Sequence, residues 1–181
     1  MGLSRVIVGL GNPGPEYVFT RHNLGFWAVD LLSEMYRIRA DKSAAHSLVG
    51  YGSIRGHNIA LVKPKTYMND SGKAVRAILN SEGLGPEHLL VMHDDMDIAL
   101  GRVKLKTLGG DAGNNGIASI IESLGTRDFA RLRIGLGPRP RNIGGADWVL
   151  SEFPEEQIEI AREGAQLAAE RAVEWVVLNK K

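Results

Sequence analysis

After its first residue, the segment Arg5–Leu10 (RVIVGL) is apolar at successive positions, and it ends in the turn cluster Gly11-Asn12-Pro13-Gly14-Pro15. A strand that hides one face alternates apolar and polar side chains. An unbroken apolar run belongs to a strand covered on both faces, which is the setting of a sheet between two helical layers. His88–His93 (HLLVMH) repeats the pattern, and Arg131–Leu136 (RLRIGL) and Val103–Lys106 read as further strands. Helical spacing appears between them. Trp27, Ala28, Leu31, Leu32 and Met35 form one stripe, in a helix that begins near Thr20–Asn23. Val75, Ile78 and Leu79 form another within Asn69–Gly83, and Ile117, Ile120, Ile121 and Leu124 a third. The last helix is predicted from Pro154, with Glu155 and Glu156 at its positive end and a stripe from Ile158 to Val176.

Alternation of strands and helices predicts an α/β fold. Ser47–Arg55 and Asn58–Val62 read as a hairpin joined at Gly56-His57, so the sheet is mixed. The expectation is a single domain over residues 1–181, with a mixed, mostly parallel twisted sheet and helices on both faces. A length of 181 residues suits one domain with a real core. With 44% hydrophobic and 24% charged residues, the chain is neither disordered nor fibrous. It has no cysteine, which excludes disulfides, a thiol nucleophile and thiolate-held zinc. No apolar run is long enough for a membrane span, and the N-terminus passes directly into a strand. A cytoplasmic protein without membrane contact is expected.

The net charge of +1 suggests no polyanionic partner, but the charges are segregated. Residues 81–100 carry acidic and no basic side chains, whereas residues 1–80 and 101–145 are predominantly basic. A basic surface can therefore form without an extreme isoelectric point. Such blocks also occur as ordinary solvated surface.

Gly9-Leu10-Gly11-Asn12-Pro13-Gly14 matches G-x-G-x-x-G after a strand, the dinucleotide-binding spacing. The context fits poorly. Pro13 and Pro15 remove two amide donors, and the helix starts several residues later. A rigid turn that fixes Asn12 at the carboxyl end of a strand fits better, because open α/β sheets carry their sites there.

His22, at a helix start, needs a partner to act as an acid or base. Asp94 is the candidate, since it too follows a buried strand. The turn Asp94-Asp95-Met96-Asp97 could instead hold magnesium, but no second carboxylate cluster accompanies it. Asn69 reads as a helix N-cap or as a substrate-binding amide. Gly109–Gly116 reads as a flexible loop or a phosphate cradle, the latter favoured by Lys104, Lys106, Arg131 and Arg133 around it. There is no G-x-S-x-G, and Ser71 and Ser119 lie in ordinary helical contexts, so a serine esterase is disfavoured.

GLGNPGPEY (9–17), TRHNLGF (20–26), KPKTYMNDSGKAV (63–75), HDDMD (93–97), GRVKLKTLGGDAGNNGI (101–117) and RLRIGLG (131–137) occur in that order. The ordered set resembles the bacterial-type peptidyl-tRNA hydrolases from residue 5 to about residue 153, and the last helix more loosely. The resemblance implies hydrolysis of the ester joining a peptide to the 3′ end of tRNA, which recycles tRNA from aborted translation. It implies that His22 is the catalytic base, Asp94 the carboxylate holding it, and Asn12 the discriminator of peptidyl from free aminoacyl ester. Asn69 and Asn115 would bind substrate, and Tyr17 and Tyr67 would wall the cleft. Lys104, Lys106, Asn114, Arg131 and Arg133 form a weaker tRNA-facing set. The partner implied is peptidyl-tRNA, through its acceptor stem and 3′ end, with the protein acting as a monomer.

The chemistry of the residues agrees. An ester is an activated acyl group, so water and a general base suffice without a covalent intermediate, a metal or another cofactor. Asparagine amides can donate to an oxyanion and cannot act as bases. Two departures from the family stand out. Asn114 occupies a position where a histidine is usual, so titration there is lost. The family also commonly runs on past the last helix into a basic tail, whereas this sequence stops at Lys181; either some tRNA contact is absent at that end or the sequence is a shortened one. The rival readings are a tRNA- or intron-binding protein on the same scaffold without hydrolysis, and a nucleotide-dependent oxidoreductase.

Overall fold

Alternate residues of the first strand divide the molecule into its two cores. In the computed structural model, which describes residues 2–179, this strand (β1, Arg5–Gly9) is buried throughout. Val6, Val8 and the following Leu10 pack with Val75, Ile78, Ile117 and Ile120 on one face. Ile7 packs with Leu24, Ala28, Leu32, Ala165 and Ala168 on the other. Each of the Val, Leu and Ile side chains contributes about 1.5–3 kcal/mol on burial. The unbroken apolar run thus reflects two helical layers, as expected.

The other strands are β2 (Lys42–Ala44), β3 (Ser47–Ile54), β4 (His57–Pro64), β5 (Leu89–Asp95), β6 (Val103–Lys106) and β7 (Ala130–Gly135). Their order is β2-β3-β4-β1-β5-β7-β6. The central strands β4, β1, β5 and β7 run parallel, and the pairs at both edges are antiparallel. Helices α1 (Leu24–Tyr36), α2 (Ser71–Glu82), α3 (Asn115–Leu124), α4 (Gly145–Val149) and α5 (Glu155–Leu178) cover the faces. Met1, Lys180 and Lys181, the ends of the expected 1–181 domain, lie outside the described residues.

The hairpin closes through Arg55 and Gly56, with φ of 51° and 84°. Both lie in the left-handed region that a two-residue hairpin loop requires. Several boundaries differ from expectation. The hairpin turns at Arg55-Gly56 instead of Gly56-His57, and α2 begins at Ser71 instead of Asn69. Asp94 and Asp95 end strand β5 instead of forming a turn. A 3-10 turn, Arg21–Asn23, precedes α1. Pro154 stands just before α5 instead of within it. Two elements, β2 and α4, were not anticipated, because three and five residues are too short to carry a periodic signal.

Gly9 and Gly11 of the G-x-G-x-x-G spacing serve packing. A side chain on Gly9 would strike the Gly25 carbonyl, and one on Gly11 would strike the Phe26 ring. A side chain on Gly25 would in turn strike the backbone of Leu10 and Met92. Helix α1 therefore rests directly on the backbone of β1 and β5. Those two strands pair in parallel with Gly9 beside Met92, so their carboxyl ends emerge side by side. Asp94 lies in that end of β5 and Asn12 follows the end of β1, which is where a site is expected in such a sheet.

Candidate active site

His22 and Asp94, 72 residues apart in sequence, meet at the carboxyl end of the sheet. Nδ1 of His22 lies 2.9 Å from both carboxylate oxygens of Asp94. A carboxylate without a proton can only accept, so Nδ1 carries the hydrogen and Nε2 is the unprotonated nitrogen of the neutral ring. Both side chains are buried. Burial alone pushes the imidazole pKa down, but the Asp94 charge and its hydrogen bond outweigh burial and hold it above the ordinary 6.5.

Asn12 is fixed at three points. Its backbone N–H donates to Oδ1 of Asn23 at 2.8 Å, and its carbonyl accepts from Nδ2 of Asn23 at 3.0 Å. Its own Oδ1 accepts from the Met68 N–H at 2.7 Å. Asn23 was missed by sequence reasoning. Its signal was available in the polar run Thr20–Asn23, all four of which are buried. Buried polar groups need partners, and here the partner is the turn that presents Asn12.

A cleft of about 250 Å³ is lined by Asn12, Tyr17, His22, Tyr67, Asn69 and Asn115, together with Ala146, Val149 and Leu150. The rings of Tyr17 and Tyr67 stand edge to face, 6.3 Å apart. A second cleft of about 240 Å³ shares His22, Asn115, Ala146 and Val149 with the first and extends past Asp94 to Gly113 and Asn114. Helix α4 therefore borders both. Arg21, next to His22, ties the segment after α4 to the site. Its guanidinium stacks 3.6 Å from the Trp148 ring and donates to Ser151 Oγ and the Glu152 carbonyl.

Asn69 is not the helix cap. It lies inside the 3-10 turn Met68–Asp70, Asp70 precedes α2, and the Asn69 side chain is exposed at the cleft. The glycine loop is not a ready phosphate cradle. The Gly113 N–H bonds to Asp111 Oδ1, the Asn114 N–H to the Asp111 carbonyl, and the Gly116 and Ile117 N–H groups to Asn114 Oδ1. These amides are already used, and Asp111 adds a negative charge.

The basic set divides. Lys104 and Lys106 are exposed on the edge strand β6, outside both clefts. Arg133 is held by Asp95, Nε to Oδ2, at 2.8 Å. Arg131 is buried beneath the loop and donates to the carbonyls of Gly110 and Arg127. Contrary to expectation, it does not face solvent, because its guanidinium lies over the Phe129 ring and is held by those carbonyls. Asn114 is likewise buried and caps α3, so it does not present its amide to a polyanion at the surface.

Asp95 accepts from Arg133 and from the Asp97 N–H, so its two oxygens are already engaged. Among the described residues, no group of three or more His, Asp or Glu side chains is arranged to hold a metal.

The family model described as peptidyl-tRNA hydrolase matches residues 6–181. A peptidyl-tRNA hydrolase of Moorella thermoacetica is 44% identical over 177 residues, covering 98% of this chain and 93% of the relative. One of Lachnospira eligens is 42% identical over 174 residues, covering 96% and 93%. The crystal structure of peptidyl-tRNA hydrolase from Acinetobacter baumannii superposes with a TM-score of 0.86 at 37% identity, covering 99% of this chain and 90% of that one. With the match running from β1 through the last helix, this chain belongs to the peptidyl-tRNA hydrolase family.

Proposed function

We propose that this protein hydrolyses the ester between a peptide and the 3′ end of tRNA, with His22 as general base. The observation that carries the reading is the contact of His22 Nδ1 with both Asp94 oxygens beside a cleft lined by amides. Asp94 fixes the tautomer and stabilises the imidazolium, as the carboxylate of a catalytic triad does. Nε2 takes a proton from water as the water oxygen attacks the ester carbonyl carbon. The tetrahedral intermediate places negative charge on the former carbonyl oxygen, and the Asn12 and Asn115 amides donate to it. When the ester C–O bond breaks, the imidazolium returns its proton to the departing ribose oxygen. The products are free peptide and tRNA.

Tyr17, Tyr67 and Asn69 hold the peptide side of the substrate. Lys104, Lys106 and Arg133 face phosphates of the single-stranded 3′ end, and we omit Arg131 and Asn114 from that role because both are buried. The protein works as a cytoplasmic monomer, where its substrate is made. No described helix is long and apolar enough to cross a membrane. Binding without hydrolysis is less well supported, because His22, Asp94 and Asn12 are all present and brought together at one site.

The test is release of N-acetyl-amino acid from acylated tRNA. His22→Ala should slow turnover by about 10²–10⁴-fold, the usual contribution of a general base. The thermal melt should show a folded protein. Near wild-type turnover would remove His22 from the mechanism.

A further inference from the structure

The side chain of Asn114 makes two kinds of bond at once. Its Oδ1 accepts from the N–H groups of Gly116 and Ile117, at 2.9 and 3.1 Å, and so caps α3. Those two donors fix the orientation of the amide, because Nδ2 cannot accept them. Nδ2 is thereby aimed at Asp94, at 3.2 Å from Oδ1 and 3.3 Å from the backbone carbonyl. The same Asp94 Oδ1 accepts from His22 Nδ1.

We infer that Asn114 is a positioning residue for hydrolysis, tying the first turn of α3 to the carboxylate that orients His22. The inference rests on the reading of His22 as base. A carboxylate held only by the imidazole could rotate about its own Cβ–Cγ bond, and the imidazole would turn with it. A second donor from a different element removes that freedom. The Nδ2 contacts are long, so each is weak, but both converge on one residue in a buried place where competing water is scarce. The Asp94 carbonyl also accepts from His93 Nδ1 at 2.9 Å. Asp94 is therefore held by side chains from β5, α3 and the turn before α1.

Capping and positioning can be separated by substitution. Ser and Asp cap helices about as well as Asn, so Asn114→Ser and Asn114→Asp keep the acceptor for Gly116 and Ile117. Ser loses the amide that reaches Asp94. Asp loses it and places a second carboxylate beside the first. The charged and titratable groups around the pair are His93 and Asp95 on β5, Arg133 and Arg131 on β7, and Arg21, which is turned onto Trp148.

Steady-state hydrolysis of N-acetyl-aminoacyl-tRNA, measured across pH for both variants with His22→Ala as a control, tests this. Asn114→Ser should lower kcat about tenfold and leave KM within about twofold, since orientation of the base matters in the transition state. Asn114→Asp should also move the acid limb of kcat/KM upward by about one pH unit, because two buried carboxylates this close share a proton, which must leave before the pair can hold the imidazolium. Unchanged kcat in both variants would overturn the inference. So would a fall in kcat that only parallels a lower melting temperature, with the acid limb of Asn114→Asp unmoved. An inactive His22→Ala beside wild-type-like Asn114 variants would leave the base in place and remove only the positioning role. An active His22→Ala would instead remove the base itself.

Discussion

The Met68 N–H donates to Oδ1 of Asn12 at 2.7 Å, and this bond decides which end of the Asn12 amide faces the cleft. The oxygen is occupied by the backbone. Among the described residues, Nδ2 has no acceptor, so it is the donor left for a substrate oxygen. The start of the 3-10 turn Met68–Asp70 thus sets the chemistry of a residue 56 positions earlier.

Asn12→Asp keeps an acceptor for Met68 and loses the donor. It also places negative charge beside the developing oxyanion. We expect kcat to fall by about 10²–10³-fold, as for loss of an oxyanion donor. The fold should survive, because the bond to Met68 remains. Rate assays paired with thermal melts decide the matter. A variant with full rate would make the 11–15 turn structural only.

Asp94→Asn should lower turnover more than it weakens tRNA binding. It should also move the acid limb of kcat/KM to lower pH. Burial pushes the His22 pKa down and the Asp94 charge pushes it up, so removing the charge leaves burial to act alone. A pH profile of the variant beside wild type reads the direction. An acid limb that stays in place would show that Asp94 does not set the charge of His22.

The two buried histidines oppose each other in the pH dependence of stability. The folded pKa of His22 is raised, so its pairing stabilises the protein fully below about pH 6.5, the unfolded value, and that contribution fades as pH rises through the folded value. His93 is the reverse. Burial lowers its pKa, so stability is present above about pH 6.5 and is lost as pH falls and the unfolded chain takes up the proton. His22→Ala removes the favourable acid-side contribution alone. Its unfolding free energy should therefore drop more steeply than wild type between pH 7.5 and 5.5 in urea titrations at fixed ionic strength. Parallel curves would contradict the assignment.

Lys104→Glu and Arg131→Ala should fail in different ways. Lys104 is exposed, so its variant should fold normally, bind tRNA more weakly and lose about 0.7 from the salt slope for a single-stranded contact. Arg131→Ala leaves the Gly110 and Arg127 carbonyls without their donor and opens a space over Phe129. We expect a loss of about 2–4 kcal/mol in stability from that position. Filter binding across salt and chemical denaturation separate the two. A stable Arg131→Ala with selectively weakened tRNA binding would return that residue to the phosphate-facing set.

Apart from the short β2 and α4, the order of strands and helices was legible in the sequence because it depends on short-range spacing. Runs such as RVIVGL, the stripe of α1, the hairpin and the GNPGP turn each state their local conformation within a few residues. The polar residues of the site were also legible as candidates, His22, Asp94 and Asn12 among them. Tertiary structure decided which of them meet and what each is free to do. His22 reaches Asp94 because β1 and β5 pair with their ends together and α1, through Gly25, rests on Gly9 and on the backbone of Leu10 and Met92. Arg131 and Lys104 look alike in the sequence, yet one is buried under a loop and the other exposed on an edge strand. Asn114, at the end of a glycine-rich loop, turns inward as a cap and a donor to Asp94. Strand register, loop closure and amide orientation depend on partners tens of residues away, and no local spacing carries that information.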